Sequence, residues 1–255
     1  MRIAVLADIH GNLPALRAVL ADLDSGAGAD ALVVAGDVVG GALPREALEL
    51  LSVRRERVTW ISGNSERETV AAWDGAPVED DAPGRAAAWS ARALDRSWRD
   101  RIASWPIVSD MDGVCFCHGS PRRDDEILTR QTPDAALREA LASVSHELVV
   151  GGHTHQQMIR RLPGAPAYVN AGSVGMPYEG RPGAFWLLLD NQEPGLRETV
   201  YDIDAAVLEL RASGFQDVDD QLAESLLTPA DPGWVAAFFE HSAGRAPDPG
   251  PMPPA

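Results

Sequence analysis

The chain has 255 residues, 45% of them hydrophobic, enough to bury a large core in one domain, because α/β folds commonly run to this length undivided. Thirty-eight acidic residues face 22 basic ones, every one of them arginine, for a formal net charge of -16. Such a surface repels polyanions and excludes a dedicated duplex nucleic-acid binder, whose affinity comes from basic side chains that displace counterions.

Apolar runs rich in Val, Ile and Leu predict short buried strands at 2–7, 31–35, 58–61, 114–117, 147–150, 167–169 and 184–189. After the first, Asn12 caps a helix with Pro14 in its first turn and Leu13, Leu16, Leu20 and Leu23 at helical spacing. Pro44 opens a second helix with Leu48 and Leu51 inward and Arg54, Arg55 and Arg57 at its C-terminal end. The first third is therefore βαβαβ, which implies a parallel sheet with right-handed crossovers. An acidic turn from Asp74 to Pro83 precedes a continuous helical region at 84–105, whose Trp89, Trp98 and Trp105 read as packing residues. From 147 strands dominate, which suggests a second sheet packed on the first. The expected organisation is a catalytic domain at 1–203, a helical extension packed on it at 204–243, and a flexible Pro-rich tail at 244–255.

Cys115 and Cys117, one residue apart, suit neither a structural disulfide nor a Cys-x-x-Cys knuckle and read as reduced strand residues. No apolar run reaches the ~18 residues of a membrane span. The chain runs from Met1 straight into its first motif without room for a signal peptide. A soluble, cytoplasmic protein with no membrane partner and no stable nucleic-acid partner is expected.

Five motifs close apolar runs in order: Asp8-Ile9-His10, Gly36-Asp37, Gly63-Asn64, His118-Gly119 and Gly152-His153-Thr154-His155. Asp8 and His10 alternate along an extended segment, so they point to one side and can chelate one ion. His153 and His155 repeat that spacing after glycines that permit close backbone approach. Asp37 sits at the carboxyl end of a buried strand, where open α/β sheets bind ligands. Asn64 reads equally as a helix cap or a neutral amide ligand. Two Asp, one Asn and four His form a ligand set for two ions sharing one bridging carboxylate. Without thiolate, these donors suit Mn, Fe, Zn, Ni or Co rather than a closed structural zinc site.

The set resembles the calcineurin-like metallophosphoesterase superfamily, whose pattern is D-x-H, G-D, G-N-H-[DE], H and G-H-x-H. The resemblance spans about residues 1 to 200. It implies an α/β fold, a four-layer αββα sandwich of two mixed β-sheets flanked by helices. It further implies that Asp8, His10 and His155 hold one divalent ion, manganese foremost, that Asn64, His118 and His153 hold a second, and that Asp37 bridges them. Asp37, Asn64 and His118 are then catalytic as well as ligating. Ions ~4 Å apart would acidify a bridging water whose hydroxide attacks phosphorus in line with the leaving oxygen.

One position departs from the pattern: Ser65 stands where most relatives have a histidine that stabilises the transition state or protonates the leaving group. Loss of a positioned acid costs ~100 to 10,000-fold when the leaving group is poor. The same His is missing from a small bacterial phosphodiesterase branch that the 170–175 segment also resembles. Small phosphodiesters, cyclic nucleotides or nucleotide-like compounds, are therefore the expected substrates. The alternatives are a phosphomonoesterase or protein phosphatase, a dinucleoside polyphosphate hydrolase, or a non-catalytic scaffold. Asn12, Ser65, Arg122 and Arg181 are expected to contact substrate, the glycine-rich 170–183 connection to wall the pocket, and Glu66, in the first turn of a helix, to be structural. The oligomeric state is not encoded in any of these motifs.

Overall fold

The computed structural model describes residues 1–26 and 28–252. In chain order the N-terminal half contains β1 (Arg2–Leu6), α1 (Leu13–Ser25), β2 (Ala31–Ala35), α2 (Pro44–Ser52), β3 (Arg57–Ile61), α3 (Asn64–Trp73), α4 (Ala82–Ala93) and α5 (Arg96–Ile102). Then follow β4 (Val108–Met111), β5 (Val114–Cys117), α6 (Asp134–Ala140), β6 (Leu148–Gly151), β7 (Met158–Arg160), β8 (Ala167–Asn170), β9 (Ala184–Asp190) and β10 (Glu193–Thr199). The C-terminal part holds α7 (Ile203–Ala212), α8 (Val218–Leu222), a π-helical turn (Ala223–Leu227) and α9 (Pro232–Ser242).

Two five-stranded mixed sheets result, with strand orders β10-β9-β1-β2-β3 and β4-β5-β6-β8-β7. Within them β1, β2 and β3 run parallel, as do β5, β6 and β8. The strand alternation decides the layering. Ile3, Val5 and Val33 of the first sheet meet Phe116, Val150 and Val169 of the second in an apolar seam. The intervening Ala4, Leu6, Leu32 and Val34 face outward onto Leu16, Val19 and Leu20 of α1 and Leu48 and Leu51 of α2. On the far side, Cys115, Cys117, Val149 and Tyr168 face Leu137 of α6. Both cysteines are buried and unpaired with each other. Four layers follow, helices on both outer faces and the principal core between the sheets.

Local chemistry sets the boundaries. The Asn12 side chain accepts the Ala15 N–H at 3.1 Å, capping α1. The expected helix at 84–105 is divided, because Leu94 is extended and Asp95 caps α5 by accepting the Trp98 N–H at 3.1 Å. Nor do arginines close α2, which ends at Ser52. Arg54 instead binds Asp24 and Glu56, since carboxylates are nearer than the helix carbonyls, and Arg57 begins β3.

The C-terminal helices pack Val207, Leu210, Phe215, Leu222 and Leu226 around Ala42 and Trp89. Helix α9 is anchored through buried Glu240, which accepts hydroxyl bonds from Thr129 and Thr132 at 2.7 and 2.6 Å and pairs with Arg245. Beyond α9 the chain turns back, and Trp234 donates its indole N–H to the Gly250 carbonyl at 3.1 Å. The last three residues of the expected tail lie outside the described residues. Among the described residues, no helix is long and apolar enough to cross a membrane.

Candidate metal centre

Every ligand motif follows the carboxyl end of a parallel strand: Asp8 and His10 after β1, Asp37 after β2, Asn64 after β3, His118 after β5, His153 and His155 after β6. The chain folds them into two adjoining groups, Asp8 with His10 and His155, and Asp37 with His118 and His153. In the first, His155 Nε2 lies 3.2 Å from Asp8 Oδ1 and 3.1 Å from His10 Nε2. In the second, His118 Nε2 lies 3.4 Å from Asp37 Oδ2. That same Asp37 oxygen is 3.7 Å from His10 Nε2, so it addresses both groups.

The partners behind the ligands orient them. His118 Nδ1 meets the Ala35 carbonyl at 2.8 Å and His155 Nδ1 meets the Met176 carbonyl at 2.7 Å. A carbonyl only accepts, so Nδ1 carries a hydrogen and Nε2 is the nitrogen turned to the centre. Asp8 Oδ2 accepts the His153 N–H at 2.9 Å, and Asp37 Oδ1 accepts the Ser65 N–H at the start of α3 at 2.9 Å. The other atoms are left over. Asp8 Oδ1, Asn64 Oδ1 and His118 Nε2 are buried with no hydrogen-bond partner. Unpaired buried polar atoms are costly, and oxygen and imidazole donors converging on one place fit divalent cations.

Charge distribution agrees. Burial opposes ionising Asp37, but His118 and then His10 outweigh it and hold the carboxylate below the usual range. Burial also opposes charging His118, yet Asp37 and then Asp8 push it up to about 10, so without a cation Nε2 holds a proton that a bound cation would displace. Burial and then His118 push His153 down to about 4, leaving it a neutral donor.

The backbone differs from the extended segment expected at Asp8 and His10. Asp8, His10, Asp37, His153 and His155 all take positive φ, between 46° and 70°. Left-handed conformations cost non-glycine residues roughly 1 to 2 kcal/mol each, and such strain concentrates at functional sites. Gly152 makes room, since a Cβ there would stand 2.5 Å from Asp8 Oδ2. Gly36, at φ +89°, likewise clears the His118 ring.

Glu66 supports the centre from below. Fully buried, it accepts backbone N–H bonds from Gly63, Asp37, Val38 and Val39 at 2.8, 2.7, 2.8 and 3.3 Å. Burial, then the Asp37 carboxylate, pushes it up to about 7.

A cavity of about 640 Å³ opens over the centre, with Asn64 and Ser65 in its wall. The other expected substrate contacts are not among its lining residues. Asn12 caps α1 and donates to the Gly175 carbonyl at 2.9 Å. Arg122 is held by Glu126 and Glu139, and Arg181 by Glu198. The 170–183 connection reaches the cavity through Met176 and Tyr178, while its first part braces Asp8: Ser173 Oγ donates to the Asp8 carbonyl at 2.7 Å. The rest of the wall comes from residues without a motif: Phe215, Asp217, Asp220 and Gln221 around α8, and Phe238 and Phe239 of α9. Tyr178 stacks on His155, ring centroids 5.1 Å apart, and Gln221 donates to the His10 carbonyl at 3.2 Å. In the sequence only the expected 170–183 connection pointed to this wall.

Two mixed sheets, helices outside and two Asp/His groups at the strand ends define a metallophosphoesterase, and residues 1–193 match the calcineurin-like phosphoesterase superfamily domain, so the chain belongs to that family. It is 25% identical over 212 residues to an uncharacterised protein of Methanocaldococcus jannaschii, covering 75% of this chain and 83% of the relative. A metallophosphoesterase from Sphaerobacter thermophilus superposes with a TM-score of 0.70 at 24% identity, covering 89% of this chain and 99% of that one. A protein from Pyrococcus horikoshii superposes with a TM-score of 0.75 at 22% identity, covering 87% and 97%. At those identities the two structures attest the fold.

Proposed function

We propose that the protein is a dinuclear-metal hydrolase of small phosphodiesters, cyclic nucleotides or nucleotide-like compounds among them. The observation that carries this reading is the Asp37 oxygen facing both ligand groups. Asp8, His10 and His155 would hold one ion, Asn64, His118 and His153 the other, with Asp37 shared. Divalent cations, manganese foremost and iron, zinc, nickel or cobalt as alternatives, supply the Lewis acidity that makes water nucleophilic at neutral pH and offsets charge on the phosphoryl oxygens. The chain contributes orientation. Carbonyls behind His118 and His155 orient their rings, and the α3 N-terminus holds Asp37.

Preference for diesters is supported by Ser65. Its side chain lines the cavity where a proton donor would be useful, but a hydroxyl is far too weak an acid for that role. Substrates whose leaving oxygen departs with little protonation are favoured. The test is turnover of metal-loaded protein on bis-aryl and mono-aryl phosphates sharing one leaving group. The expected kcat/KM is at least about tenfold higher for the diester, a ratio worth 1.4 kcal/mol. A monoester preference would overturn the diester assignment, and turnover of neither would overturn the enzymatic reading.

A further inference from the structure

The wall that the C-terminal helices place over the metal centre has its own chemistry. Phe215, Phe238 and Phe239 line it together with Met176 and Tyr178. Phe239 lies 6.2 Å from Tyr178 and 6.3 Å from Phe238, ring centroid to centroid, so the rings form a continuous apolar surface. Ionisable side chains elsewhere in the lining are carboxylates: Glu68, Asp217 and Asp220. No arginine is among the lining residues, and the chain has no lysine. Arg85, from α4, spends its guanidinium on Asp217 at 2.9 Å and Asp80 at 3.2 Å.

A phosphoryl anion would be met by the ligand groups on the floor. A second anion on the same molecule would meet carboxylates, which is unfavourable, because the guanidiniums beside Asp217 and Glu68, those of Arg85 and Arg67, are already held by carboxylates. An aromatic or aliphatic ester group would bury against phenylalanine and tyrosine instead. We infer that the substrate is a singly anionic phosphodiester whose non-leaving group is bulky, apolar and free of further negative charge, and that α8 and α9 select it. The inference deepens the phosphodiesterase reading and rests on it. Dinucleoside polyphosphates and carboxylated esters fall outside the class.

Three diesters with the same p-nitrophenol leaving group separate the two readings: methyl, phenyl and 4-carboxyphenyl p-nitrophenyl phosphate. Holding the leaving group constant keeps the chemical step matched, so differences in kcat/KM report the second ester group. The expected order has phenyl above methyl by about tenfold or more. The 4-carboxyphenyl ester should fall about tenfold below phenyl. In Phe239→Ala the phenyl-to-methyl ratio should shrink toward one. Phe238→Ala, at a residue 45% exposed and less exposed to folding effects, should shrink it in the same direction. Asp220→Asn, on the exposed rim, should narrow the penalty against the carboxylated ester. Equal kcat/KM for all three diesters, or a preference for the carboxylated one, would overturn the inference and leave the phosphodiesterase reading intact. Hydrolysis of none of them would overturn both.

Discussion

Glu66 accepts the backbone N–H of Asp37 at 2.7 Å, while the Asp37 side chain accepts the N–H of Ser65, the residue next before Glu66. The helix that follows β3 thus grips Asp37 from both ends. Its backbone holds the carboxylate, and its first-turn glutamate holds the main chain in the left-handed conformation recorded there. Both Glu66 oxygens are occupied by donors, so an amide in place of the carboxylate would press its NH2 against two N–H groups.

Glu66→Gln should therefore be more damaging than a neutral isostere normally is. Leaving buried N–H groups unpaired should lower stability by about 2 to 4 kcal/mol. Loosening the support of a ligand should weaken divalent-cation affinity by ~10 to 100-fold. Urea unfolding of the metal-free protein and calorimetric titration with manganese measure the two effects separately. A variant with wild-type values in both would show that the four N–H contacts do not position Asp37.

Asp37→Asn should weaken both sites at once, because one oxygen faces both ligand groups. Turnover should fall by at least about 100-fold, with far-ultraviolet circular dichroism unchanged, since the side chain lies beyond a strand end rather than in the apolar seam. Elemental analysis after gel filtration should show fewer than two ions per chain. Two tightly held ions in this variant would remove Asp37 from the bridging position.

Ser65→His tests whether the missing imidazole sets the preference for acidic leaving groups. Across phosphodiesters of graded leaving-group pKa, kcat/KM of the wild type should drop steeply, and the variant's slope should be shallower, because a positioned acid matters most when the departing oxygen is strongly basic. Equal slopes at equal metal content would place the preference elsewhere.

Acid should release α9 before it unfolds the sheets. Burial would raise the Glu240 carboxyl, but the bonds from Arg245, Thr132 and Thr129 outweigh it and hold its pKa below the usual 4.5. The folded protein then binds this proton less tightly than the unfolded chain does. The stabilisation is complete above about 4.5 and is lost as pH falls through the lowered value. The Trp234 indole N–H resonance, reporting its bond to Gly250, should shift and broaden through exchange below that pH, and Glu240→Gln should remove most of the dependence while costing about 1 to 3 kcal/mol. An unchanged acid titration in the variant would shift the dependence to another carboxylate.

The sequence carried the six central strands because their residues are largely buried on both faces and read as apolar runs, and with them the edge strand β3, whose Val58, Trp60 and Ile61 are apolar. It hid the other three edge strands. β4 reads Val-Ser-Asp-Met, β7 is three residues long, and β10 contains Pro194 and Gly195, tolerated because its outer side pairs with nothing in the sheet. The ligand motifs were legible since each metal-binding type needs particular side chains at strand ends. Of the cavity wall only the 170–183 connection was, because residues 215 to 239 reach it only through tertiary packing, and a phenylalanine in a helix looks the same whether it faces a core or a ligand. Arg122 and Arg181 illustrate the converse. In a chain with 38 acidic residues, an exposed arginine finds a carboxylate of its own more easily than a substrate.

Neither sheet carries a complete ligand group. Asp8 and His10 come from the first sheet and need His155 from the second, while Asp37 must be joined by His118 and His153 from across the seam. A folding intermediate in which only one sheet has formed offers no more than isolated pairs of donors. Tight cation uptake then waits for the sheets to dock, and the arrival of metal becomes a chemical record that assembly has finished. Partly folded chains are spared from sequestering ions in the wrong geometry.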